Sequence, residues 1–105
     1  VVKNVKQMDW QQTEVDLGSI KPNQSYTFNF LYKGNHKILS VEPQCGCTAV
    51  KADNNLISGT YNSGGFPSYA KQQGFTKLNI VKTIDVLTSD EKKHRLTIKA
   101  ELNEL

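Results

Sequence analysis

Two cysteines, Cys45 and Cys47, are separated only by Gly46 and followed by Thr48, and they are the residues whose type and spacing bear most directly on chemistry. In an extended segment, residues two apart point to the same side, so both sulfurs can face a common point. Three roles fit that geometry. A disulfide would have to span a Cα separation of ~6.6–7 Å if the segment were fully extended, at or past the upper limit for such a bond. It therefore requires a turn, for which Gly46 supplies flexibility, and a bond closing so small a ring is strained and readily reduced. Alternatively, two thiolates could hold a soft metal such as zinc or copper(I), helped by His36, His94 or a second copy of the chain. Structural zinc takes four ligands, and the two cysteines supply half. In the third role both are small, partly buried hydrophobic residues packed at a sheet edge, in keeping with free cysteine being among the most buried residue types.

Enzymatic thiol chemistry is disfavoured. The spacing is not Cys-x-x-Cys, and no helix N-terminus is predicted beside the pair to lower a thiol pKa. His36 falls in a turn, and His94 stands beside Lys92, Lys93 and Arg95, whose positive field opposes a protonated or metal-bound imidazole; both rings read as solvated. No Ser/His/Asp arrangement or paired carboxylates stand out. The glycine-rich Ser63-Gly64-Gly65 is neither followed by a helix nor accompanied by a Lys-Ser/Thr pair, so it does not cradle phosphate. The expectation is a protein with no catalytic residues, no metal and no cofactor.

Two surfaces could instead meet a protein partner. Phe66, Pro67 and Tyr69 lie in the stretch 62–74, where aromatic side chains on a flexible support would give contact area at low entropic cost. The competing reading folds Phe66 and Tyr69 back over the core. The second surface is an exposed sheet edge, which can accept a strand from a neighbour or from a second copy, and the segment Val1 to Trp10 could be exchanged in that way. Trp10 itself reads as core.

The elements that must carry these residues follow a period of two, broken by Gly, Pro and Asn at intervals suited to short strands. Met8–Trp10 and Thr13–Leu17 read as a first strand or pair of strands, closed by Gly18 and the turn Lys21-Pro22-Asn23. In Ser25–Phe30, aromatics occupy every second position and mark a core face. Lys37–Glu42 is a strand stopped by Pro43, after which comes the cysteine turn. Thr48–Lys51 and Leu56–Tyr61 form a hairpin around Asp53-Asn54-Asn55. The stretch 62–74 concentrates breakers and reads as a long loop. A long strand through Leu78, Ile80, Lys82, Ile84 and Val86 turns at Ser89–Lys92 into a final one. There Leu96, Ile98, Ala100 and Leu102 face inward and Arg95, Thr97, Lys99 and Glu101 outward. About seven strands joined by short turns predict an all-β, two-sheet antiparallel sandwich of immunoglobulin-like type.

Composition agrees with a single domain over residues 1–105. Hydrophobic residues make up 37% and charged residues 22% of the chain, far from the signature of disorder. The formal charge of +3 arises from 13 basic and 10 acidic residues scattered along the chain, without basic clusters interleaved with aromatics, so nucleic acid is not an expected partner. No apolar run approaches the ~18 residues that span a bilayer, and no membrane insertion is expected. Val1-Val2-Lys3-Asn4 lacks a signal peptide's hydrophobic segment, and a first residue other than Met suggests a processed or trimmed product. Two closely spaced cysteines leave the redox compartment open.

Beyond composition, Cys45-Gly46-Cys47-Thr48 resembles the most recognisable motif of a family of bacterial and phage immunoglobulin-like domains. That family is a domain of unknown function related to the ASPM–SPD-2–Hydin type domains. Leu17–Asn23 is similar to the family's opening Phe-Gly-Thr-Ile turn, and Phe28–Leu31 and Lys37–Val41 to its next strands. Lys82–Asp90 and Leu96–Ala100 are similar to its last two strands. The chain departs from the pattern at Tyr32-Lys33-Gly34, where Asn-Thr-Gly is usual, and at Ala100, where glycine is usual. The resemblance implies a sandwich used for adhesion, scaffolding or assembly in an extracytoplasmic or virion setting, with no catalytic residues to carry over.

Overall fold

The computed structural model describes residues 9–104, and the readings for Met8 and for exchange of the segment before Asp9 lie outside them. Seven strands and one short helix follow in the order β1 (Glu14–Ile20), β2 (Ser25–Leu31), β3 (Ile38–Pro43), β4 (Thr48–Asp53), β5 (Leu56–Asn62), α1 (Ser68–Gln72), β6 (Lys77–Thr88) and β7 (Lys93–Asn103). Two sheets form an all-β sandwich, one of order β1-β7-β6-β3 and the other of order β2-β5-β4. Strands β3, β6 and β7 and strands β2, β4 and β5 occupy the places of C, F, G and of B, D, E in the immunoglobulin order.

The first strand departs from the expected all-antiparallel pairing. Residues 9–11 lie antiparallel beside the end of β2, with Trp10 opposite Tyr32. The Gln11 N–H donates to the Leu31 carbonyl at 2.9 Å, and the Lys33 N–H donates to the Asp9 carbonyl at 2.6 Å. The chain then crosses to the other sheet, where β1 pairs with β7 in parallel, from Glu14 opposite Thr97 to Ile20 opposite Leu102. Strands that reverse at every turn put the first and the seventh in the same direction, so a first strand laid against the last must pair in parallel. Gly18 does not close this strand as its type suggested. It sits inside it at φ +75°, where the register shifts between Asp16 and Ser19, a bulge that only a residue free of the left-handed penalty forms without strain.

The core is the product of the period-two pattern. Phe28 and Phe30 of β2, Ile57 and Tyr61 of β5, Ile84 and Val86 of β6, and Leu96, Ile98, Ala100 and Leu102 of β7 are all buried, joined by Trp10, Ile20 and Tyr32. The inward residues of β7 are those the alternation assigns. Among the described residues no helix is long and apolar enough to cross a membrane.

The stretch 62–74 corrects the loop reading, because it holds α1. Pro67 stands at its N-cap, and the helix ends in a Schellman arrangement. The Gly74 N–H donates to the Lys71 carbonyl at 3.0 Å and the Phe75 N–H to the Ala70 carbonyl at 2.9 Å, with Gly74 at φ +84°. Ala70 is fully buried and Phe66 joins the core, so this segment covers one flank of the sandwich.

Leu96 is fully buried whereas Val81, on the opposite face of the same sheet, is 57% exposed. Leu96→Ala is expected to cost about 2–5 kcal/mol in urea unfolding, while Val81→Ala stays within ~0.5 kcal/mol.

Candidate functional site

The cysteine motif occupies the corner where the chain leaves one sheet for the other, between β3 and β4. Pro43 ends β3, and Gln44 anchors the departure: its N–H donates to the Thr83 carbonyl at 3.0 Å, and its side-chain amide donates to an Asp85 carboxylate oxygen at 2.8 Å. A tight turn follows, closed by the Thr48 N–H on the Cys45 carbonyl at 3.2 Å. Beyond it the Asn62 N–H donates to the Cys47 carbonyl at 2.9 Å, which extends the β4–β5 pairing back to the motif. The turn draws the two Cα atoms to 5.2 Å, and Cys45 and Cys47 are joined as a disulfide. Cys47 is half-buried and packs against the core, Thr48 beside it is buried, and Gly46 faces solvent.

Gly46 plays a smaller part than its type suggested. It does not adopt a left-handed conformation, and a Cβ built on it would meet nothing within 4 Å. The turn closes through the backbone bond from Thr48 to Cys45, in a conformation open to other residues.

With the sulfurs bonded to each other, neither offers a thiolate to a metal, and the two histidines named as helpers are engaged elsewhere. No group of three His, Cys, Asp or Glu side chains gathers among the described residues. His94 is not solvated; it is half-buried against aromatic rings, 5.7 Å from Trp10 and 6.0 Å from Tyr32 between ring centres. The Trp10 indole N–H donates to His94 Nδ1 at 3.2 Å, and His94 Nε2 lies 3.1 Å from the Thr88 hydroxyl. An indole nitrogen only donates, so Nδ1 accepts and the ring proton sits on Nε2, where it is given to Thr88. The Thr88 hydroxyl in turn donates to Asp90, whose other carboxylate oxygen lies 3.6 Å from exposed His36.

This line of donors runs in one sense and holds three segments together: residues 9–11, the β6–β7 turn and the β2–β3 connection. The Thr88 hydrogen bond is the largest influence holding the Asp90 carboxyl below its usual range, and burial pushes the Tyr32 hydroxyl above its own. Thr88 has no exposed surface, so no substrate reaches its hydroxyl. The order of these residues in sequence shows nothing of the cluster; only the turn that places Asp90 two residues after Thr88 was legible.

The candidate contact loop divides. Phe66 is buried, Pro67 is half-buried at the helix start, and Tyr69 stands 61% exposed on α1. Of the three, only Tyr69 presents its ring to solvent. Phe75, beyond the helix, is also exposed.

No family model and no curated protein matches the chain. Solved structures do. A protein of unknown function from Porphyromonas gingivalis W83 superposes with a TM-score of 0.59 at 18% identity, over 87% of this chain and 44% of that one. The secreted serine protease VesC from Vibrio cholerae superposes with a TM-score of 0.60 at 13% identity, over 96% of this chain and 24% of that one. At such identities the likeness is one of fold, and this chain spans less than half the length of either protein.

Two predictions rest on this corner. A disulfide that closes so short a loop removes little freedom from the unfolded chain. Reduction by dithiothreitol should therefore raise the denatured mass by two hydrogens, lower stability by only about 1–2 kcal/mol and leave the fold intact by circular dichroism. Asp85, which holds Gln44, accepts from Arg95 Nε at 3.0 Å and from its Nη2 at 3.4 Å, and these bonds lower its pKa from the usual 3.8. Its stabilising share is complete above that value and is lost as pH falls through the lowered one. Stability should thus decline on acidification below pH 3.8, with Asp85→Asn removing that part of the decline in acid titrations of urea unfolding.

Proposed function

We propose that this domain is a non-catalytic immunoglobulin-like interaction or structural module, working through protein contacts in an extracytoplasmic or virion assembly. The observation that carries the reading is the Cys45–Cys47 disulfide, which takes the chain's only two cysteines out of nucleophilic and metal-binding chemistry. A disulfide persists in oxidising compartments, which supports the extracytoplasmic setting. The second polar group, around His94 and Thr88, is closed to solvent at its hydroxyl and supports a structural role. The resemblance of Cys45-Gly46-Cys47-Thr48 to the bacterial and phage immunoglobulin-like domains adds an assembly context to the same reading. We place the functional contacts on strand edges and on Tyr69.

The rival is a small thiol-redox or metal-binding protein centred on the same cysteines. The thiol-redox form of the rival separates from the proposed function in an insulin-reduction assay with dithiothreitol, run on the wild type and on Cys45→Ser/Cys47→Ser. The proposed function predicts that neither protein accelerates precipitation over dithiothreitol alone. Acceleration by the wild type that the double variant loses, with its fold retained, would move the redox reading ahead.

A further inference from the structure

The two sheets present four outer edges, and three carry the devices that discourage pairing with another strand. The β1 edge has Glu14, Asp16 and the bulge at Gly18. The β3 edge has a register shift between Ile38 and Ser40, then Glu42 and Pro43. The β4 edge has Lys51 and Asp53. Strand β2 differs: Ser25-Tyr26-Thr27-Phe28-Asn29-Phe30-Leu31 has no charge, no proline and an unbroken register against β5.

The crossing of β1 to the other sheet is what leaves this edge open. Alternate residues of a strand direct their backbone groups to opposite sides. The Tyr32 N–H donates toward β5, to the Asn55 carbonyl at 2.8 Å, whereas the Leu31 carbonyl faces the other way and accepts from Gln11 at 2.9 Å. Ser25, Thr27 and Asn29 share the outward phase of Leu31, and among the described residues no backbone group pairs with theirs. Residues 9–11 occupy only the far end of this lane, beside Leu31 to Lys33, and no other described residue pairs with the window from Ser25 to Asn29 on this side.

We propose that this window pairs with the same window of a second copy of the chain, antiparallel about a two-fold axis at Thr27. The register faces Thr27 with Thr27 and Ser25 with Asn29, so each outward N–H and C=O meets its complement. No charge opposes another across the joint. On the inner face, half-buried Tyr26 comes opposite the partner's Phe28, an aromatic pair of the kind that stabilises facing strands. The two three-stranded sheets become one continuous sheet of order β4-β5-β2-β2-β5-β4. The inference rests on the contact-module reading and names its partner, while a monomer would leave the wider reading standing.

Sedimentation equilibrium of the full chain tests it with two variants. Thr27→Lys places two ammonium groups opposite each other on the axis. Thr27→Pro removes an outward N–H while leaving the β2–β5 hydrogen bonds in place, since Thr27 does not donate toward β5. The wild type is expected to reach twice the monomer mass as concentration rises, and each variant to weaken association at least ~10-fold with an unchanged circular dichroism spectrum. A wild type that stays monomeric up to millimolar concentration would overturn the proposal. So would dimerisation equally strong in both variants, which would place the interface elsewhere.

Discussion

The placement of the first strand governs the rest of this molecule. Residues 9–11 begin beside β2, and the chain then crosses the sandwich to run parallel with β7. Ahead of that crossing Trp10 is buried in the core with its indole against His94, which ties the start of the described chain to the start of β7. The crossing also covers the outer edge of β7, the strand with the most regular inward face, and among the described residues leaves the Ser25–Asn29 stretch of β2 without a partner on its outer side. The bulge at Gly18 is the local adjustment by which β1 follows β7 as far as Leu102.

The two ends of β3 are held by different chemistry. Where β3 begins, opposite Thr88, a chain of neutral donors and acceptors runs from Trp10 through His94 and Thr88 to the Asp90 carboxylate. Where β3 ends, opposite Ile84, the chain turns through the Cys45–Cys47 bond, and Gln44 is pinned by Thr83 and Asp85. The hydrogen-bond chain joins residues far apart in sequence, whereas the disulfide joins residues two apart and constrains only its own turn. The Cys-Gly-Cys-Thr motif is thus a local device. At this corner backbone pairing and buried Thr48 join the disulfide in the connection between the sheets.

Much of the fold was legible because its core is written in strict alternation. Leu96, Ile98, Ala100 and Leu102 could be assigned inward from spacing alone, as could Phe28 and Phe30. Pairing direction was not legible, since alternation fixes which face a residue occupies and says nothing of which neighbour a strand chooses. The helix within 62–74 was hidden by its length: five residues give no 3.6-residue periodicity to read, although Gly74 at the stop and the run Ala70-Lys71-Gln72 were available signals. His94 was misplaced for a related reason. Its charged neighbours Lys93 and Arg95 point to the other face of β7, and the alternation that puts them outside puts His94 inside. At the cysteine corner, spacing could limit the options to three, but only the observed turn brings the Cα atoms within bonding range.

The most direct test of the strand crossing is a map of cross-strand nuclear Overhauser effects in isotopically labelled protein held at low concentration. Contacts between Val15 and Ile98 and between Ile20 and Leu102, in parallel register, are the result this account predicts. Contacts from residues 14–20 to residues 25–29, with the β7 edge unpaired, would place the first strand on β2 and contradict it.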